Sequence, residues 1–198
     1  MEKLFAFENG LMLLFGTYTL ELRTALLCIL VLIAVFFDVR SHRIPNWLVL
    51  VGLLVGIAYH SFMASGWGLT YALKGAAVGF GVFLPIYLLR GMGAGDVKLM
   101  AMVGAFLGPA STFGAILMTL MAGGVLALTV AAARGMLPLM LENIRYIVMN
   151  VAVRAAAGRG SDSPAFAKSA GKLPYAVAIA AGTFIQLVLV HHGNALVG

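Results

Sequence analysis

Long apolar stretches follow one another along this chain, and they leave it few ways to fold. Ala25 to Phe37 carries no charged side chain, and neither does the longer stretch 111 to 133. A bilayer core about 30 Å thick is crossed by roughly 20 apolar residues in a helix. With 62% hydrophobic and only 10% charged side chains in 198 residues, there is too little polar surface to cover a soluble globule. Residues 1–198 are therefore expected to form a single all-α, polytopic membrane domain.

The apolar periodicity predicts six spans, at 22–38, 47–63, 70–90, 96–108, 111–133 and 174–192. The fourth is short: a helix over 96–108 is about 20 Å long, less than the hydrocarbon core. Gly108-Pro109 ends it, and Ser111 and Thr112 are placed to cap the helix that follows. Turn backbone cannot face lipid, so neighbouring helices must shelter this stub. Gly75, Gly79, Gly81, Gly104, Gly114, Gly123 and Gly124 offer the small surfaces that close packing requires.

Charge sets the expected topology. If the Asp38 end of the first span is cytoplasmic, Arg40, Arg43, Arg90, Lys98, Arg134, Arg145, Arg154, Arg159, Lys168 and Lys172 are inside, and only Lys3, Arg23 and Lys74 are outside. This agrees with the positive-inside rule and puts both termini outside. The basic residues stand singly between spans, so the net charge of +6 does not point to nucleic acid. Lipid is the expected surrounding partner.

Residues 1–21 are apolar but broken by Glu8, Asn9 and Gly10, which suits an interfacial segment. They lack the features of a cleaved leader. Residues 134–173 are expected to be a cytoplasmic loop containing an amphipathic interfacial helix. There, Leu141, Ile144, Val148 and Val151 share one face, and Asn143, Asn150 and Arg154 share the other. The stretch from Gly158 to Lys172 reads as a loop.

Two acids stand out against this background. Asp38 closes the first apolar run, and Asp96 follows Gly91, Gly93 and Gly95 at the start of the fourth span. Ionisable groups at such depths are costly to desolvate and are functional candidates by default. Two carboxyls sharing a proton can activate a water, one as base and one as acid. The helix poles suggest a division of labour, with the charge favoured on Asp96 at an N-terminus and the shared proton on Asp38 at a C-terminus. A proton-coupled transporter would use the same acids as a relay. Its site would be expected near the midplane between repeated halves, however, and the sequence shows no repeat. A non-catalytic membrane subunit of a secretion system is a third reading.

Other residues have plainer readings. Lys98 lies two positions from Asp96 and points away from it on a helix, toward headgroups or a substrate acid. His42 is expected in a loop at headgroup level, and His60, His191 and His192 at the outer interface. Trp47 and Trp67 sit at span ends as belt residues do. The single cysteine, Cys28, lies within a span, so no cysteine-based zinc site can be built, and no metal or cofactor is expected.

Asp38 followed by Ile44-Pro45-Asn46, then Gly93-Ala94-Gly95-Asp96-Val97-Lys98-Leu99, then Lys172-Leu173-Pro174-Tyr175-Ala176, resembles the aspartic prepilin peptidases of type IV pilus systems. The GxGD element is also shared in form with presenilin-like intramembrane aspartic proteases. The short length resembles the Flp/Tad-type, peptidase-only branch. The resemblance implies a protease of the cell inner membrane that cleaves the leader of a prepilin or pseudopilin at the cytoplasmic face, just before the substrate's hydrophobic helix. It implies Asp38 and Asp96 as catalytic groups, with Arg40, Pro45, Asn46, Gly93, Gly95, Lys98 and Pro174 supporting them. Bifunctional relatives also methylate the new N-terminus and carry a cysteine-rich zinc domain. One cysteine counts against that second activity here.

Overall fold

A computed structural model describes residues 2–63, 68–89, 91–138, 174–191 and 193, with isolated helical positions at 142, 145 and 149; of residues 2–21, 63 and 191 it describes the backbone alone. Among these residues six helices follow in order: α1 (Glu2–Ser41), α2 (Asn46–Met63), α3 (Gly68–Leu88), α4 (Ala94–Leu107), α5 (Pro109–Ala133) and α6 (Tyr175–His191). The chain is an all-α polytopic membrane protein. Leu22–Ser41, Gly68–Leu88 and Pro109–Ala133 are long and apolar enough to cross a bilayer, and Asn46–Phe62 and Tyr175–Val190 are shorter apolar helices.

Five of the six observed helices match the expected spans to within a few residues, and the first reaches much further back than its expected start at 22. The first continues past Asp38 to Ser41 and is joined at its other end to a helical backbone reaching back to Glu2. At 1.5 Å per residue those 40 residues make about 60 Å of helix, twice the hydrocarbon core, so crossing needs only the second half. The amphipathic faces expected over 141–154 and the 158–172 loop lie outside the described residues, apart from those isolated helical positions.

The short helix sits at the centre. α4 packs against all five other helices, and Val97, Leu99, Met100, Met102, Val103 and Phe106 are buried along it. A helix apolar on every face can only be stable with neighbours on every side. Backbones approach closely to provide them. A Cβ on Gly75 would run into the Gly104 carbonyl, and one on Gly79 into the Met100 carbonyl. On the α2 side, Gly52 faces Met102 and Gly56 faces Phe106. The α5/α6 contact uses Gly114 against Gln186, Gly123 against Tyr175 and Gly182 against Thr119. Gly81 and Gly124, also expected at contacts, have no described atom within 4 Å of an added Cβ. Their spacing was compatible with packing, but they face away from it.

The buried C-terminus of α4 leaves carbonyls that lipid cannot satisfy. Neighbours supply the donors. His60 Nε2 lies 2.9 Å from the Phe106 carbonyl oxygen, and Tyr71 OH donates to the Leu107 carbonyl at 3.3 Å. His60 is thus buried at 6% exposure between Tyr59 and Tyr71, which corrects its expected place at the interface. The carbonyl it reaches is what draws an imidazole inward. Thr112 also departs from expectation. Its hydroxyl bonds back to the Gly108 carbonyl, while the N-cap of α5 is Gly108 itself, at φ 78, with Pro109 in the first turn and no side-chain cap. Neither Ser111 nor Thr112 fills that role.

Gly75→Ala and Gly81→Ala separate these environments. The first is expected to lower thermal stability by about 1–3 kcal/mol, because two backbones must part. The second should leave stability unchanged or raise it by up to about 1 kcal/mol through helix propensity. Thermal unfolding of the two purified variants in one detergent checks the difference.

Candidate active site

Asp38 lies one turn before the end of α1, and its residual exposure is only 7%. The helix stops because His42 takes φ 49, a left-handed conformation, and its N–H closes onto the Asp38 carbonyl at 2.8 Å. This is the usual geometry of a helix end, with histidine where glycine is commoner. Ser41 tightens the same turn through its hydroxyl, 2.8 Å from the Phe37 carbonyl oxygen. The chain then crosses to α2, where the Pro45 carbonyl accepts the Val49 N–H. Pro45 therefore sits just outside the first turn, in keeping with its role in starting that helix.

Asp96 is the third residue of α4, is 8% exposed, and turns back on its own helix start. Its Oδ2 accepts the Gly93 N–H at 3.0 Å, and its own N–H donates to the Gly93 carbonyl at 3.1 Å. Gly93 has no side chain to complete a reciprocal capping pair, so only the Asp96 half of that pair is made here. Gly95 has a different use: a Cβ there would lie 3.3 Å from the Cβ of Ile44. The glycine lets the loop before α2 lie directly on the start of α4. A second tie joins the same two elements, where Lys98 Nζ donates to Asn46 Oδ1 at 3.0 Å. Lys98, expected to reach toward headgroups or a substrate acid, is engaged by Asn46.

The third element is α6. Pro174 precedes it, and the N–H of Ala176 donates to Asp38 Oδ2 at 3.0 Å. First-turn N–H groups have no partner within their own helix, so a carboxylate from α1 caps α6 across the fold. Such a charge-assisted bond is worth about 1.5–3 kcal/mol. The chain thus brings together three segments distant in sequence, the ends of α1, α4 and α6.

The division of labour read from helix poles does not survive this packing. Asp38 ends α1, but it also faces the N-terminus of α6 and accepts an N–H from it, as Asp96 accepts one from Gly93. Each carboxyl meets one positive helix pole, so poles alone no longer assign the shared proton to Asp38. Among the described residues, one oxygen of each carboxyl is engaged by backbone.

Of the expected supporting residues, Pro45, Asn46, Gly93, Gly95, Lys98 and Pro174 all lie around this junction. Arg40 is exposed on the outer side of the last turn of α1. Sequence reasoning missed Ile44 and the Ala176 N–H. The second was foreshadowed by Pro174, since a proline before a buried helix signals orphan donors seeking an acceptor. Among the described residues, no group of three or more His, Cys, Asp or Glu side chains is placed to hold a metal ion.

The His42 turn yields a test independent of chemistry. Relief of the left-handed strain by His42→Gly should stabilise the protein by about 0.5–1 kcal/mol, read as a higher unfolding temperature.

Comparison with known proteins places this geometry. Residues 25–128 match the type IV leader peptidase family, a span that includes both aspartates. A protein of Myxococcus xanthus (strain DK1622) described as "Prepilin leader peptidase/N-methyltransferase" is 33% identical over 126 residues, which are 60% of this chain and 37% of that protein. The chain therefore aligns with little more than a third of that relative's length. No solved structure matches it. With just over half of its residues matched, the chain belongs to the type IV leader peptidase family.

Proposed function

We propose that this protein is a membrane-embedded aspartic endopeptidase that removes the leader peptide from prepilin or pseudopilin substrates. The observation that carries this reading is two buried carboxyls from different helices, Asp38 and Asp96, each anchored by one backbone N–H. Family membership supplies the substrate class.

In the proposed reaction the pair shares one proton. The ionised carboxylate takes a proton from a water as its oxygen attacks the scissile carbonyl carbon, and the protonated partner donates to the carbonyl oxygen. The tetrahedral intermediate collapses as the amide nitrogen receives a proton and leaves. The pair is then restored, with no covalent link between enzyme and substrate. Backbone N–H groups suit this work, because they hold a carboxylate in place without neutralising it.

The basic residues flanking the aspartate end support cleavage at the cytoplasmic face of the inner membrane, with both termini outside. The substrate would enter through its leader and hydrophobic helix. The reading assigns the peptidase step to these residues, and the short spacing of the motifs resembles the Flp/Tad-type branch.

Asp38→Asn and Asp96→Asn test the pair. Each variant should insert normally yet lower cleavage of a co-expressed prepilin at least about 100-fold, leaving it at precursor size. The double variant should lose little more than either single one, since the two groups act as a unit. Full processing by either single variant would overturn the reading. Mass spectrometry of the product reports the cleavage position and any methylation together.

A further inference from the structure

Tyr175 is the residue next to the one that holds Asp38, and its surroundings give it more than a packing role. It opens α6, directly before Ala176, whose N–H reaches the Asp38 carboxyl. Its ring meets the fully buried Phe83 of α3 edge-on, at 6.3 Å between centroids and 66° between planes. On the other side it lies against Gly123 of α5. A Cβ there would come within 2.8 Å of the Tyr175 hydroxyl oxygen and 3.0 Å of two ring carbons. One half-buried ring therefore touches α3 and α5 and is covalently next to the donor for Asp38.

We propose that Tyr175 is the positioning residue of the aspartate pair: clamped between Phe83 and the bare backbone of Gly123, its ring fixes the depth and rotation of the first turn of α6 and so places the Ala176 N–H on Asp38. A hydrogen bond loses strength steeply with misalignment, and the first turn of a helix is where backbone order is weakest. A ring held on two sides by other helices supplies the order that the helix end lacks. Gly123 matters because any side chain there would occupy the ring's place. The inference rests on the peptidase reading above and adds to it a residue that touches neither water nor scissile bond.

The test measures kcat and KM for cleavage of a purified prepilin by the full-length protein in proteoliposomes, with thermal unfolding recorded for each variant. Tyr175→Phe keeps the ring and should retain kcat within about two-fold. Tyr175→Leu and Tyr175→Ala should lose about ten-fold or more in kcat with KM nearly unchanged, since the orientation of a charge-assisted bond is lost and not substrate affinity. Gly123→Ala should lower kcat while Tyr175 is present and cost nothing further in the Tyr175→Ala background, the non-additivity of two groups in contact. If Tyr175→Ala does not fold, Tyr175→Leu and Gly123→Ala carry the measurement. Wild-type kcat in a folded Tyr175→Leu or Gly123→Ala variant would overturn the inference, as would a Tyr175→Phe variant as weak as Tyr175→Leu, which would assign the effect to the hydroxyl. These outcomes differ from a wild-type protein that leaves prepilin uncut, which would overturn the peptidase reading itself.

Discussion

A helix too short to cross a bilayer, buried on all sides, imposes the main constraint on this fold. α4 has 14 residues, too few to cross the hydrocarbon core, and its buried C-terminal end leaves carbonyls where neither water nor lipid is a ready partner. Every other helix packs against it, and the polar residues near its ends are explained by what those ends lack. At the C-terminal end, carbonyls must find donors, and His60 and Tyr71 provide them. At the N-terminal end, N–H groups must find an acceptor, and Asp96 provides one for Gly93. The site is in this sense an outgrowth of the need to end a buried helix.

The same logic links α6 to Asp38. A helix N-terminus buried against the bundle needs an acceptor for its first-turn N–H groups, and the carboxylate at the end of α1 is the one it meets. Each acid consequently does structural work with one oxygen of its carboxyl and leaves the other without a backbone partner among the described residues. This arrangement restrains their geometry without requiring a cationic partner, which would hold a carboxylate ionised and unable to share a proton. Helix ends supply partial charges and directed N–H groups in its place.

Much of this was legible in the chain, for reasons that can be named. The helices fell within a few residues of the apolar runs because the bilayer imposes a length on each crossing. Asp38 and Asp96 stood out because charge is rare in such runs. The shortness of the fourth span, with Gly108-Pro109 at its end, announced a stub that neighbours must shelter, and they do. Contacts were less legible. Gly75 and Gly104 meet, whereas Gly81 and Gly124 face no described atom, although all four sit in similar apolar helices. Glycine spacing shows where close approach is permitted, and only the rotation of each helix decides where it occurs. His60 was misplaced for the same reason: its position near a helix end suggested the interface, and the carbonyl that drew it inward belongs to a segment 46 residues away.

The sequence by itself determined that this chain is a membrane helix bundle with two conspicuous carboxyls, because hydrophobic length and charge cost are local properties readable one segment at a time. It also matches the type IV leader peptidase family over residues 25–128. The tertiary structure decided how the carboxyls are held. Helix poles considered along the chain made Asp38 and Asp96 opposites, yet α6 brings an N-terminus to Asp38 and gives both acids the same kind of backbone partner. Ala176 lies 138 residues beyond Asp38, and no local pattern sets the register of such a pair. It is fixed by packing, in which the closest backbone approaches of α3, α4, α5 and α6 leave each helix end one place to go.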